Sequence, residues 1–453
     1  MPVSPARAAA FDILLRVERE SSYASELLHA KTYAELSTTD HALTTELVMG
    51  VLRWRSVLDD TISTASSQLL KKLDPEVLIA LRLAVYQFCW LDRIPKRAAL
   101  HESVELVKRA RKKSAAPFAN AVLRRLSSQA GGVPLCSSVP TVVKDLSAEG
   151  IAKSYAHPIW LVERWIRKYG ASAASKICEH DQTIPITAVR LRTLNSLSDI
   201  ANEGISLQPG ALLTSASRVQ SGDITRTQAF RNHEVVIQDE ASQLVAALIG
   251  QVENREARIL DCCAAPGGKT LAIADNNPDA EITAVELHPH RARLMQTLWG
   301  KIGERIKTVV ADARSLSPSQ PYDRILADVP CSGTGTLARN PEIKWRLKPE
   351  DLPGLHDRQV EILSAALPHL APGGRLVYST CSLEKEENED VVEQVLAEDK
   401  SFSLMNCFPE LERLEEKGQL IPNPSMLTTG PYLRTIPGVH LCDGFFAAII
   451  RRE

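Results

Sequence analysis

The sequence predicts a multidomain protein. An all-α N-terminal domain is followed by a small mixed α/β segment. A larger α/β domain then carries a parallel sheet with helices on both faces. Three observations predict this. Apolar residues recur at helical spacing through the first 130 residues. From about 236 onward, short apolar runs alternate with helical stretches. The chain has 453 residues, 44% hydrophobic and 24% charged, which is room for two to four domains with cores of their own.

The elements follow in chain order. In the N-terminal domain, 1–130, Ala8, Phe11, Leu14 and Leu15 fall at helical spacing, as do Leu78, Leu81, Val85 and Phe88. Proline interrupts the pattern at Asp74-Pro75 and Ile94-Pro95. Gly131-Gly132-Val133-Pro134 predicts a turn-forming linker into connecting helices over 131–183, with Trp160 and Trp165 near Pro158. Residues 184–235 read as a small mixed subdomain with β-type runs such as 186–191. In 236–453 the strand candidates are 259–260, 282–285, 308–310, 325–327, 376–378 and 445–450. Strands alternating with helices imply a parallel sheet, and ligands of such sheets sit beyond the carboxyl ends of the strands. Most of the chemically suggestive residues stand just after one of these runs.

Composition excludes several classes. Nothing resembles a collagen, a mainly disordered chain or a disulfide miniprotein. No apolar stretch reaches the roughly 18 residues of a membrane helix, and the start is interrupted by charge every few residues, unlike a secretory signal. Nine cysteines without a CxxC pair predict free thiols in a reducing cytosol, with no zinc cage and no metal role. The net charge is −2, but residues 1–140 hold 19 Lys+Arg against 14 Asp+Glu. That modest basic surplus is compatible with nucleic acid, and basic residues over 108–113 could meet phosphates.

The first strand ends at Asp261 in LDCCAAPGGKT, where a tight loop of small residues opens a helix. Gly267 and Gly268 let a ligand approach the backbone, and the helix start supplies unpaired N–H groups. A nucleoside-triphosphate loop needs Gly at the position of Cys263, and the dinucleotide pattern GxGxxG is absent. The third reading is S-adenosylmethionine, which needs a small-residue turn and no pyrophosphate cradle; a tight turn without a ligand is the alternative. Glu286, at the end of the next strand, could accept hydrogen bonds from ribose hydroxyls. Asp312, at the end of the third, could take the adenine amino group.

Two cysteines follow two further strands: Cys331 in DVPCSGTG and Cys381 in STCS. Two thiols at the ligand edge suit chemistry on cytosine. A thiolate adding to C6 makes C5 nucleophilic toward an electrophilic methyl. The adduct must then lose its C5 proton and eliminate the thiol. Asp328 is placed to stabilise a protonated N3 and hold the amino group.

Together LDCCAAPGGKT, the acid in AVELHPHR, VVADAR, DVPCSGTG and STCS resemble the RNA cytosine-C5 methyltransferases of the Sun type, over about 236–453. Three segments of the N-terminal domain, DHALTTELVMGVLRWRSVLD, LRLAVYQFCWLDRIP and ANAVLRRL, resemble the antitermination factor NusB, a helical RNA-binding module. The combination resembles the small-subunit rRNA methyltransferase B family. The resemblance implies a Rossmann-like, S-adenosylmethionine-dependent domain. It also implies methylation at C5 of one cytosine in 16S rRNA, at rRNA position 967 in that family. The expected partner is 16S rRNA that is protein-free or early in assembly, in the cytoplasm.

Carried over by motif, Cys381 is the nucleophile, Cys331 assists proton removal and product release, and Asp328 contacts the cytosine. Cofactor binding falls on Cys263, Ala264, Ala265, Pro266, Gly267, Gly268, Lys269, Glu286, Asp312 and Asp328. In the related DNA enzymes the Pro-Cys cysteine is the nucleophile, which would assign Cys331 instead. Val329 stands where the family usually has Ala, and Arg190-Leu191-Arg192 where Arg-x-Asn is typical. The stretch RNPEIKWR fits the family and would offer Lys344 and Arg346 to phosphates. Alternative readings are a tRNA or another rRNA cytosine as substrate, and a non-catalytic RNA-binding assembly factor.

Overall fold

The computed structural model describes residues 3–20, 22–128, 145–193, 196–252, 254, 256–317 and 320–453. The linker expected at Gly131-Gly132-Val133-Pro134 lies outside them. The chain divides into two compact units. One is Met1–Ile184 with Leu337–Arg346, and the other is Pro185–Thr336 with Leu347–Glu453.

The described residues of the first unit are helical, and their core gathers around the helix Pro75–Trp90. Pro75 occupies its first turn, where the missing N–H costs nothing. Leu81, Leu83, Ala84 and Val85 are completely buried, so this helix is apolar on nearly every side. Gly50 of the Thr38–Arg53 helix lies against it, and a Cβ there would stand 2.0 Å from the Tyr86 ring. Of the basic 108–113 segment, Lys108, Arg109 and Lys112 pair with Glu105, Asp12 and Asp74 at 2.7, 3.1 and 3.0 Å.

The segment Leu337–Arg346 departs from the sequence expectation. It was expected to present Lys344 and Arg346 to phosphates. Instead Lys344 is 1% exposed, and Arg346 donates to the Val17 carbonyl at 2.9 Å. Glu342 accepts the Ala24 N–H at 2.8 Å, and Trp345 Nε1 donates to Leu52 O at 2.6 Å. Burial pushes the Lys344 ammonium down to about 7, with Asp181 and Cys178 opposing the shift. The helical unit takes up this segment as part of its own interior, so these cations serve packing.

In the second unit a small sheet precedes a large one. Strands β1 (Ala188–Leu191), β2 (Ser206–Pro209), β3 (Ala216–Ser221) and β4 (Val235–Ile237) form an antiparallel sheet in the order β2-β3-β1-β4. Its Arg190 and Arg192 both reach Asp275 on the helix Gly268–Asn276, at 2.6 and 2.7 Å. The pair Arg190-Leu191-Arg192 thus anchors the small sheet to the helix that begins in the small-residue loop.

The large sheet holds β5 (Arg258–Asp261), β6 (Glu281–Glu286), β7 (Ile306–Val310), β8 (Tyr322–Asp328), β9 (Leu370–Thr380), β10 (Phe402–Met405), β11 (Thr428–Thr429), β12 (Tyr432–Arg434) and β13 (Phe446–Arg452). Its order is β11-β12-β13-β9-β8-β5-β6-β7, with β10 on β13. Strands β5 to β9 are parallel. Neighbouring residues alternate between two cores: Ile259 and Val377 face one, Leu260 and Leu376 the other. The sheet is therefore covered on both faces, as an α/β fold requires. The run at 445–450 differs from expectation, because β13 lies antiparallel to β9. The chain enters β13 from β12 through a return loop without a helical crossover, which only an antiparallel neighbour permits.

Seven cysteines among the described residues are free thiols.

Candidate active site

The sheet order reverses at β5, whose neighbours are β6 and β8. That switch point opens a crevice at the carboxyl edge, and the parallel register aligns the strand ends around it. Asp261 stands opposite Leu326, Glu286 opposite Val310, and Asp328 opposite Ser379.

The loop after β5 brings Cys263, Ala264, Ala265, Pro266, Gly267, Gly268 and Lys269 to this edge. Gly267 has φ +101°, and a Cβ there would stand 2.7 Å from Trp299 Nε1. Trp299, itself fully buried, donates to the Gly267 carbonyl at 2.8 Å. Glycine is therefore required twice over, by backbone conformation and by space. Behind the loop, Thr270 Oγ1 donates to Asp261 Oδ2 at 2.6 Å. Burial raises the Asp261 carboxyl to about 7, against the lowering effect of the Thr270 hydrogen bond.

Glu286 is 5% exposed, and its Oε1 accepts the His288 N–H at 2.9 Å. Beside it Leu287 and Val310 expose 53% and 50% of their surface at the ends of adjacent strands. A small-residue cradle, a buried acid and an exposed apolar wall fit a nucleoside sulfonium such as S-adenosylmethionine. Asp312 stands two residues beyond β7, not at its end. Its carboxylate caps the turn Ala313–Ser315 and binds the Arg314 guanidinium at 2.6 Å. Those Arg314 hydrogen bonds hold its pKa below the usual value.

The two cysteine loops meet next to this cradle. Cys331 follows β8, Cys381 follows β9, and their Sγ atoms lie 3.3 Å apart. Asp328, at the end of β8, accepts Lys269 Nζ at 2.8 Å and Ser379 Oγ at 2.6 Å. Burial works against the Lys269 charge. Asp328 most of all, then Cys381 and Asp261, more than offset it and hold the ammonium above the ordinary lysine value. Lys269 thus places a fixed positive charge among Asp328, Cys381 and the cradle. The Cys331 thiol is held well above its ordinary pKa by the hydrogen bond with Cys381, by burial, and by the charges of Cys381 and Glu387.

Sequence reasoning placed Lys269 only in the cofactor loop and did not see it as the cation near Cys381. It also missed Glu387, Ser332 and Ser382, which bind each other behind the thiols. The available signal was the repeated Cys-Ser pair at 331–332 and 381–382. Among the described residues no group of His, Cys, Asp and Glu could hold a metal ion, and no helix is long and apolar enough to cross a membrane.

A small-residue loop at the switch point of a parallel sheet, with a buried acid on the next strand, defines a Rossmann-like methyltransferase domain. Residues 247–451 match the family described as 16S rRNA methyltransferase RsmB/F, and residues 4–128 match the NusB family. The chain is 34% identical over 467 residues to the probable ribosomal RNA small subunit methyltransferase B of Bacillus subtilis, across 100% of both. It is 31% identical over 424 residues to the ribosomal RNA small subunit methyltransferase B of Escherichia coli, across 91% of each. The chain belongs to this RsmB/F methyltransferase family. Among solved structures, that of PH0851 shares the fold, with a TM-score of 0.78 and 20% identity over 100% of both chains.

Proposed function

We propose that the protein methylates C5 of a cytosine in 16S rRNA through a covalent Cys381–C6 adduct. The cytosine meant is the one that the resemblance implies. The observation that carries this reading is the 3.3 Å separation of two thiols beside the Lys269–Asp328 pair. The named relatives act on small-subunit rRNA, and the NusB-like module supplies a helical domain suited to RNA. We place the protein in the cytoplasm, with rRNA that is free or early in assembly.

The residues divide the work as follows. Cys263 to Lys269 and Glu286 hold the methyl donor, with Asp312 toward its adenine end. S-adenosylmethionine supplies an electrophilic methyl group when bound. Asp328 holds the cytosine amino group and N3. The Cys381 thiolate forms the S–C6 bond, and the ring electrons move to C5. C5 takes the methyl carbon as the donor's S–CH3 bond breaks. Cys331, once it has given its own proton to solvent, accepts the C5 proton as a thiolate; the C–H electrons restore the C5–C6 double bond, and the S–C6 bond breaks to return the Cys381 thiolate.

The motif resemblance favours Cys381 over Cys331 as nucleophile. Ionisation of the Cys331 thiol is opposed first by its hydrogen bond with Cys381, then by burial and by the charges of Cys381 and Glu387. The part that comes from Cys381 is lost once that residue is a thioether, which eases the ionisation Cys331 needs to act as the base.

The test is covalent trapping of a base that has left its helical stack or sits in a single strand. Cys331→Ala is incubated with S-adenosylmethionine and protein-free 16S rRNA, then run on a denaturing gel. A slow protein–RNA adduct is expected, and it disappears in the Cys331→Ala/Cys381→Ala variant. An adduct from Cys381→Ala alone would exchange the two roles. No adduct, with no wild-type methyl transfer, would overturn the rRNA reading and turn attention to tRNA or to a non-catalytic role.

A further inference from the structure

Each thiol is followed by a serine, and both serines converge on one side chain. Glu387, completely buried, accepts the Ser332 backbone N–H at 2.7 Å on Oε1. The hydroxyls of Ser332 and Ser382 both donate to its Oε2, and the two hydroxyl oxygens lie 3.1 Å apart. Gln359, also completely buried, donates to Oε1 at 2.9 Å and to the Pro330 carbonyl at 3.0 Å. The residues on either side of Cys331 are thus tied to one carboxylate, and so is the residue after Cys381.

This carboxylate does more than close two loops. The loops already have a backbone tie, from the Gly335 N–H to the Cys381 carbonyl at 2.9 Å. A buried charge is costly unless its hydrogen bonds to water are replaced. Four donors replace them here, and three of the four come from the two serines. The Gly335–Cys381 bond ties the loops beyond the thiols, and the two serine hydroxyls touch each other. Glu387 is the side chain that accepts from both Cys-Ser pairs at once and so fixes them in relation to each other. That relation matters when two thiols must reach one ring, one at C6 and the other at the C5 proton.

We propose that Glu387 is a positioning residue of the reaction. Through Ser332 and Ser382 it holds Cys331 and Cys381 at the spacing that lets both thiols serve one base. The proposal rests on the two-cysteine cytosine reading above. Glu387 touches neither substrate nor donor in this role.

The test uses the full-length protein and two variants, Glu387→Gln and Ser332→Ala/Ser382→Ala. The first measurement needs no substrate. Diamide takes the two thiol hydrogens and is reduced to the hydrazine as a disulfide closes between neighbouring cysteines. In the wild type a Cys331–Cys381 disulfide is expected to form readily, read by peptide mass. Both variants should form it at least tenfold more slowly. The second measurement is turnover. Both variants should lose about 10- to 100-fold in kcat, the range of a mispositioned catalytic group. KM for rRNA and calorimetric affinity for S-adenosylmethionine should stay within about threefold. The covalent adduct should accumulate, because release is the step that needs Cys331 in place.

Wild-type disulfide rates and wild-type kcat in both variants would overturn the proposal. A kcat loss matched by lost cofactor binding in both variants would also overturn it, by making Glu387 merely structural. If only Glu387→Gln loses cofactor binding, the serine variant decides by the same readouts. If the wild type transfers no methyl to cytosine C5, the functional reading fails and the role in the reaction fails with it. The diamide result still reports separately whether the clamp sets the thiol spacing.

Discussion

Lys269 Nζ lies 2.8 Å from Asp328 Oδ2, joining the small-residue loop after β5 to the end of β8. The same ammonium stands 4.8 Å from the Phe445 ring centroid, so apolar surface closes one side of it. The pair therefore links the part of the site that holds the donor to the part that receives the base. Each partner makes the other's burial tolerable.

That linkage predicts strong coupling. Lys269→Met and Asp328→Asn should each cost about 3 kcal/mol of stability, because each leaves a largely buried partner without its counter-charge. The double variant should lose much less than the sum. Urea unfolding of all four proteins measures this directly. Additive losses would mean that the two groups do not interact. Each single variant should also lower methyl transfer by about 100-fold, within the range for removing one preorganised electrostatic group.

Gly267→Ala tests the cradle. The added Cβ meets Trp299 Nε1 at 2.7 Å, and φ +101° disfavours any side chain there. The loop must shift, and the Trp299 hydrogen bond to the Gly267 carbonyl is lost or bent. Affinity for S-adenosylmethionine should fall at least tenfold in titration calorimetry, which corresponds to about 1.4 kcal/mol. Unchanged affinity would remove this loop from the binding site.

Lys344 gives the helical unit a pH dependence. Its folded pKa is pushed down to about 7, mainly by burial, so the folded state binds fewer protons than the unfolded state above that value. Its contribution to stability is present above the ordinary lysine pKa and is lost as pH falls toward 7. Between pH 7 and 10 the wild type should therefore gain up to about 1.4 kcal/mol per pH unit relative to Lys344→Met. Lys344→Met should be the more stable of the two at pH 7. Denaturant midpoints across that range measure the difference, and parallel curves would show that the ammonium is not desolvated.

Much of the fold and part of the site could be read from local pattern. Strands β5 to β9 fall on apolar runs whose alternation builds two cores, and the helix Pro75–Trp90 announces itself by apolar spacing behind a proline. LDCCAAPGGKT reads as a close-approach turn because Gly267 and Gly268 act within a few residues of backbone. Those are short-range constraints, and each leaves its mark on neighbouring residues. Lys344 shows where local reading stops. On sequence it is one more cation in a charged stretch, whereas its burial depends on a helical domain more than 150 residues away in the chain. Asp275 likewise carries no local sign that it will hold Arg190 and Arg192.

By itself, then, the sequence determined the fold class and the order of the parallel strands along the chain, while Asp312 falls two residues beyond β7 and not at its end. Only the tertiary structure decided that β13 runs antiparallel and that Lys269 stands beside Asp328. It alone brought Cys331 and Cys381 to 3.3 Å across one carboxylate. The reason is physical: hydrogen-bond periods and turn geometry act over a few residues. The partner of a buried charge is set by which surfaces the whole chain brings together, and no spacing along the sequence encodes that.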